Sequence, residues 1–303
     1  MVTTSRPEGV DTPIEARQNE PEFLAMRSAG RRANDRADRI RALRATGTIG
    51  LALAAPLLMI VWPDASTALA VAAALWIVAG RTVLDAWYQK QNLRAARAQE
   101  LYDTGLFRLP WNTGLTGSRK AAVEDVAALR GDIDDDRNRD WYEHVPAVPW
   151  PLDVLACQEQ NLIFARRNHR AYGKVLRGAV AVVITGAVGL ALIKELSVNE
   201  FLVQLFVPLA PALLDLVELP RQHEAAARSL EDAEADIDEL WNRHADGEAL
   251  TAADCRSVQN SIWNSRVTAP RVPDLMHRHG YSANSAANAA RMQTIQENFA
   301  PGS

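Results

Sequence analysis

The stretch ATGTIGLALAAPLLMIVW (45–62), followed by PDA (63–65) and STALAVAAALWIVAGRTVL (66–84), decides how the rest of the chain is read. The first run, Ala45 to Trp62, carries no charge over 18 residues. At about 1.5 Å per residue it nearly crosses a ~30 Å hydrocarbon layer. The second run, Ala65 to Gly80, is shorter. It reaches Leu84 if the aliphatic stem of Arg81 runs along apolar surface toward the interface. The turn Trp62-Pro63-Asp64-Ala65 makes the two runs a helical hairpin with a minimal loop.

A second pair lies downstream, from Leu176 to Ile193 and from Val198 to Leu219, broken at Lys194-Glu195-Leu196-Ser197. Four membrane spans follow. A soluble helical protein could bury two such hairpins, and the flanking charge separates the two readings. Arg31, Arg32, Arg36, Arg39, Arg41 and Arg44 precede the first span, and Arg81, Lys90, Arg94 and Arg97 follow the second. Arg166, Arg167, Arg170, Lys174 and Arg177 precede the third, Arg221 and Arg228 follow the fourth, and the short turns carry only Lys194. Positive residues stay inside, so both termini and the middle block are expected in the cytoplasm. The composition, 48% hydrophobic and 23% charged with a net charge of -4, averages apolar hairpins against polar, helix-prone segments. Net acidity therefore says little about partners.

The expected organisation is an N-terminal cytosolic helical segment (1–44), hairpin 1 (45–84), a helical middle domain (85–175), hairpin 2 (176–219) and C-terminal cytosolic helices with a tail (220–303). No signal peptide is expected, because the first 44 residues are polar and the first apolar run is too long for one. Cys157 and Cys255 fall on the reducing side and read as buried small hydrophobes, not a disulfide. The second span is expected to run out as a long helix ended by Gly105 and Pro110. Asn112 to Ser118 reads as a loop, Arg119 to Arg130 as a helix, Gly131 to Arg139 as an acidic turn, and Trp141 to Pro151 as irregular. Helix is expected again from Asp153 into the third span and from Arg221 to His244 after a break at Pro220. Thr251-Ala252-Ala253-Asp254 resembles a capping box opening a helix to Arg266. Beyond Met276 only a short helix near Ala290 to Phe299 is expected.

Gln91, Ala95, Ala96, Arg97 and Glu100 recur as Gln222, Ala226, Ala227, Arg228 and Glu231, each 131 residues on. The same offset sets Gly47, Gly50 and Ala54 against Gly178, Ala181 and Thr185, and the turn Pro63-Asp64 against Lys194-Glu195. Internal duplication of a hairpin plus emerging helix would give this. Chance agreement among common helix formers is the competing explanation.

No catalytic constellation is present in the sequence, so no enzyme activity, cofactor or metal is expected. Thr116-Gly117-Ser118-Arg119-Lys120 lacks the spacing of a phosphate loop and follows no strand. His277 and His279 have no cysteine partner nearby, and Asp132, Asp134, Asp135 and Asp136 lack the glycine and glutamate of a calcium loop. On the fourth span Gln204, Pro208, Pro211, Asp215 and Glu218 are spaced four, three, four and three apart, which holds them to one helical stripe. An acidic residue near a helix centre costs roughly 2.5 to 3.5 kcal/mol to insert, so a wet or protein-facing stripe, a pore lining, is one reading. Interfacial Asp215 and Glu218 beside kinking prolines is the other. Gly178, Ala181, Thr185 and Gly189 form a small-residue face on the third span.

In the cytosolic segments Arg97, Tyr102, Arg108, Trp111, Trp141, Tyr142, Arg166, Arg167 and Arg170 combine guanidinium groups with rings. Such a set suits phosphate and base recognition in a nucleotide ligand. Core tryptophans and headgroup-facing arginines are the structural alternative.

Several short stretches resemble the SMODS-associated four-transmembrane pore-forming effector family of bacterial anti-phage (CBASS-type) systems. They are Ile14-Glu15-Ala16-Arg17-Gln18-Asn19, Ala98-Gln99-Glu100-Leu101-Tyr102-Asp103, Leu109-Pro110-Trp111-Asn112, Asp140-Trp141-Tyr142, Cys157-Gln158-Glu159-Gln160-Asn161-Leu162, Arg166-Arg167-Asn168-His169-Arg170-Ala171-Tyr172 and Arg271-Val272-Pro273-Asp274. Their order and the four spans match across nearly the whole chain. The family pattern has an arginine where Glu159 stands and an aromatic-aspartate pair where Phe164-Ala165 stands. The resemblance adds Gln99, Glu100, Asp103, Gln158 and Asn161 to the candidate ligand residues. It implies an all-α, multi-pass inner-membrane effector, a homo-oligomer. Such an effector senses a cyclic oligonucleotide made by a nucleotidyltransferase and permeabilises the bilayer, with no DNA or RNA partner. A non-conducting membrane scaffold that recruits a partner through its cytosolic helices is the alternative.

Overall fold

The computed structural model describes residues 13–62, 66–129, 131–201 and 207–300, and no strand occurs among them. The helices are α1 (Ile14–Arg17), α2 (Pro21–Val61), α3 (Ser66–Ala79), α4 (Asp85–Phe107), α5 (Thr113–Thr116), α6 (Arg119–Leu129), α7 (Leu152–Ile193), α8 (Val198–Glu200), α9 (Val207–Ala245), α10 (Ala252–Thr268) and α11 (Asp274–Phe299). A π-helical turn, Gly80–Leu84, joins α3 to α4. Within it the Thr82 hydroxyl donates to the Val78 carbonyl at 2.7 Å, which satisfies an acceptor in the widened turn.

The helix ends follow local chemistry. α4 runs past Gly105 to Phe107, where Arg108 takes a left-handed φ of 58°. The Leu109 N–H then reaches back to the Thr104 carbonyl at 3.0 Å, a Schellman closure on a non-glycine residue. Glu195 ends α7 in the same way, with φ 51° and Leu196 N–H bonded to the Ala191 carbonyl at 3.0 Å. The capping box at Thr251 and Asp254 is present in both directions and opens α10. Asn112 caps a single helical turn, α5, inside the expected loop.

Two expectations change. Pro220 does not break the chain: α9 is one helix through Pro208, Pro211 and Pro220. Pro220 lies in its interior, where Gly173 of α7 approaches so closely that an added Cβ would sit 3.8 Å from the Pro220 carbonyl and 3.7 Å from the His223 Cβ. Second, the tail is a full helix, α11, in place of the short one expected.

The described residues divide into two compact units. The first comprises the described parts of Met1–Asp35, Asn92–His169 and Ala225–Ser303, and the second Arg36–Gln91 with Arg170–Glu224. The first unit has a conventional core in which Phe23, Tyr102, Leu106, Phe107, Tyr142, Leu155, Leu162, Ile237, Met292 and Ile295 are buried. Beside it Ala29, Ala33, Ala95 and Ala98 form an alanine seam with Leu129. Alanines allow the backbones of α2 and α4 to approach closely, and a Cβ on Gly30 would lie 3.5 Å from that of Ala98. Cys157 and Cys255 are both buried in this core as free thiols. Burial pushes both thiols above their usual range. Because the thiolate is the reacting form, neither cysteine is expected to alkylate with iodoacetamide in the folded protein, and both should after denaturation, as read by mass spectrometry.

The second unit is built the other way round. Among the described residues the exposed large apolar side chains belong to it, apart from Leu115, Val123 and Trp141. Val182 is 73% exposed, Leu192 73%, Leu75 65% and Trp62 65%. Leu152–Ile193 is the one described helix long and apolar enough to cross a membrane, and only 6% of its most apolar 18-residue window is buried. A core helix of a soluble protein would be covered there. Within this unit the Trp76 indole occupies the place a Cβ on Gly47 would take, 1.9 Å from its nearest ring carbon. Its Nε1 donates to Thr48 Oγ1 at 3.3 Å, which ties α3 to α2.

The element boundaries repeat as the sequence does. α2 begins at Pro21 and α7 at Leu152, 131 residues on, and they end at Val61 and Ile193, 132 apart.

Candidate functional site

The polar centre of the first unit is a buried network spanning α4, α7 and α10. Glu100 and Asp103, one turn apart on α4, are 0% and 1% exposed. Gln259 Nε2 donates to both, at 2.9 Å to Glu100 and 3.1 Å to Asp103. The Gln259 side-chain oxygen accepts from Gln158 Nε2 at 3.0 Å, and the same Nε2 donates to the Cys255 carbonyl at 2.9 Å. Tyr142 donates its hydroxyl to Asp103 at 2.7 Å and accepts from Asn161 at 2.7 Å. Arg256 pairs with Glu100 at 2.9 Å and Arg266 with Asp103 at 2.6 Å, so two buried carboxylates meet two guanidinium groups. Burial pushes the Glu100 carboxyl up, while Arg256 and the Gln259 N–H pull it part of the way back. A carboxyl whose folded pKa exceeds its unfolded value contributes most at acid pH, and that contribution fades as the pH rises between the two.

The candidate ligand residues are thus placed very differently. Tyr102, Tyr142 and Gln158 are buried, and Tyr142 and Gln158 are engaged in this network, with Asn161 at its edge. Gln99 is half-buried beside Gly30. Arg97 shares Asp125 with Arg94, at 3.1 and 2.9 Å. It lies against Gly117, whose φ of 78° explains the glycine there. Trp111 donates its indole N–H to the Gly117 carbonyl at 2.8 Å, so this corner is a braced loop. Arg108 is the left-handed helix terminator described above. Arg166 is paired with Glu234 at 2.6 Å. Arg167 lines a cleft of about 320 Å³ with Glu159, Ile163, Glu234, Asp238 and Arg291. Arg170 belongs to the second unit. Of the stripe on the fourth span, Gln204 lies outside the described residues. Pro208, Pro211 and Asp215 lie on α9 with their side chains outside the description, and Glu218 is exposed.

One residue that sequence reasoning passed over stands out. Arg27, counted with neither the ligand set nor the headgroup-facing column, lays its guanidinium carbon 3.6 Å from the ring centre of Trp141 and 5.5 Å from that of Tyr102. Trp141 remains 37% exposed. The signal available in sequence was weak, since Arg27 and Trp141 are 114 positions apart. Glu159 is buried and accepts from Trp241 at 2.9 Å and Arg291 at 2.7 Å. Among the described residues no group of three or more histidine, cysteine or acidic side chains could hold a metal.

Residues 12–295 match the family described as the SMODS-associating 4TM effector domain. A protein of Bacillus cereus (strain VD146), described as a probable CBASS effector molecule, is 20% identical over 187 residues, which is 61% of this chain and 63% of its own. The chain thus spans less than two thirds of that relative's length. No solved structure matches. With a matched region running from before α1 into α11, the chain belongs to the SMODS-associating 4TM effector family.

Proposed function

We propose that the chain is a CBASS effector of the bacterial inner membrane. Its first unit senses a cyclic oligonucleotide in the cytoplasm, and its hairpins, assembled from several copies, permeabilise the bilayer. The observation that carries the reading is the bare apolar surface of the second unit, where valine, leucine and tryptophan side chains are exposed on long helices. Lipid is the medium that makes such a surface favourable. The flanking arginines orient the four spans with both termini inside. The description of the relative as a probable CBASS effector molecule supports the defence role. In this reading the protein acts without catalysis, by shifting a closed assembly to an open one when messenger binds.

The test is dye leakage from liposomes carrying the purified protein, with and without a panel of cyclic di- and trinucleotides. Leakage triggered by one nucleotide is the expected result. Its absence for all of them, with inserted and folded protein, overturns the pore and favours a scaffold. Replacing Asp215 and Glu218 together by leucine should alter ion conductance or selectivity several-fold while leaving nucleotide binding unchanged, because charged rings set the field in a pore. Unaltered conductance would remove the fourth span from the pore lining.

A further inference from the structure

Arg27 sits in an arrangement that the described residues leave incomplete. Its Nε is buried with no hydrogen-bond partner, and so is the hydroxyl of Tyr102, one of the two rings the guanidinium faces. Among the described residues no carboxylate pairs with Arg27. Burial pulls its pKa down to about 10, which leaves it cationic at neutral pH. The nearby carboxylates are engaged elsewhere. Asp103 accepts from Tyr142, Gln259 and Arg266, Asp140 accepts from Asn19, and Asp135 holds Arg137. Arg31, one turn along α2, adds a second positive charge where it bonds Asn138 and the Arg137 carbonyl. Two donors without acceptors and a cation without a counter-ion are costly inside a protein. An anion would satisfy all three. The indole of Trp141, still 37% exposed with a guanidinium against it, offers a ring for stacking.

We propose that Arg27, Tyr102 and Trp141 form a nucleotide subsite: the Arg27 guanidinium and the Tyr102 hydroxyl donate to phosphoryl oxygens, and the indole of Trp141 stacks a base. The inference rests on the sensing role above and gives it a location. The cleft around Arg167 suits a polyanion less well, because its neighbouring cations already face carboxylates, Arg291 at Glu159 and Arg166 at Glu234. A lipid headgroup shares the phosphate chemistry but brings no base.

The experiment is equilibrium binding by the full chain in detergent, using labelled cyclic di- and trinucleotides of all four bases, with inorganic phosphate and phosphatidylglycerol vesicles as comparison probes. One cyclic nucleotide should bind saturably. Trp141→Ala should weaken it about five- to hundredfold, the range for losing one stacked base. Tyr102→Phe should weaken it about tenfold or more without lowering the melting midpoint, since the hydroxyl removed bonds nothing in the unliganded fold. Arg27→Gln should abolish saturable binding. Affinity unchanged in Trp141→Ala and Tyr102→Phe overturns the subsite and leaves sensing intact. Vesicle binding lost in Arg27→Gln, with no nucleotide bound, makes this a headgroup site and overturns the proposal. No nucleotide binding by folded protein, together with no triggered leakage, overturns sensing as well.

Discussion

Replacing Asp103 by alanine is expected to lower the stability of the first unit by about 3–5 kcal/mol, the cost of removing one partner from a buried ion pair. Asp103 is 1% exposed and has three partners: Tyr142, Gln259 and Arg266. Without the carboxylate, Arg266 becomes a buried cation with Glu100 as its nearest remaining counter-charge. The Tyr142 hydroxyl keeps only the bond from Asn161, and Gln259 keeps Glu100 as its acceptor. The pattern of variants separates charge from shape. Tyr142→Phe removes two hydrogen bonds, the one donated to Asp103 and the one accepted from Asn161, and should cost about 2 kcal/mol. Asp103→Asn keeps the volume but not the charge and should fall between the two. Denaturant unfolding of the detergent-solubilised protein, followed by resistance to proteolysis, gives the order. If Asp103→Ala costs no more than Tyr142→Phe, the network contributes polarity without stability.

The second large effect is expected at Glu159, a buried carboxylate paired with Arg291. Glu159→Arg would place a guanidinium in a site 5% exposed, beside Arg291, and leave the Trp241 N–H without its acceptor. The loss should be about 3 kcal/mol or more, although Arg291 is 37% exposed and solvent screens part of its charge. The informative measurement is the double variant Glu159→Arg with Arg291→Glu. Recovery of more than half of the lost stability identifies the ion pair as the source of the loss, in the manner of a double-mutant cycle. A double variant as unstable as the single one assigns the effect to burial of arginine at position 159, with Arg291 a bystander.

How far the fold could be read from sequence depends on whether the deciding interaction is local. The apolar runs are legible because absence of charge over a helix length is a property of one segment, and the capping box at Thr251 and Asp254 closes within four residues. Only the last part of α11 was expected, because Met292, Ile295 and Phe299, spaced three and four apart, mark a buried face there, whereas the stretch before Ala290 is rich in alanine, asparagine and serine. Pro220 read as a break because a proline's local cost is visible in sequence, whereas the packing of α9 against Gly173 is not. The same holds at the candidate site. Glu100, Asp103 and Gln158 entered the candidate set through the family resemblance, and Tyr142 as a ring beside arginines. Their partners Arg256, Gln259 and Arg266 lie more than 90 positions away, so nothing local separated a core network from a binding surface. Arg27 was lost for the converse reason: on an arginine-rich helix, one guanidinium facing two rings looks like its neighbours.

Gly47 and Gly178 are 131 positions apart and read alike in the sequence repeat, but the fold sets them different rules. A Cβ at Gly47 would collide with the Trp76 indole, whereas one at Gly178 would meet nothing within 4 Å. Position 47 therefore has an alphabet of one letter, and position 178 has many. In aligned relatives, glycine should persist at position 47 while other residues appear at position 178.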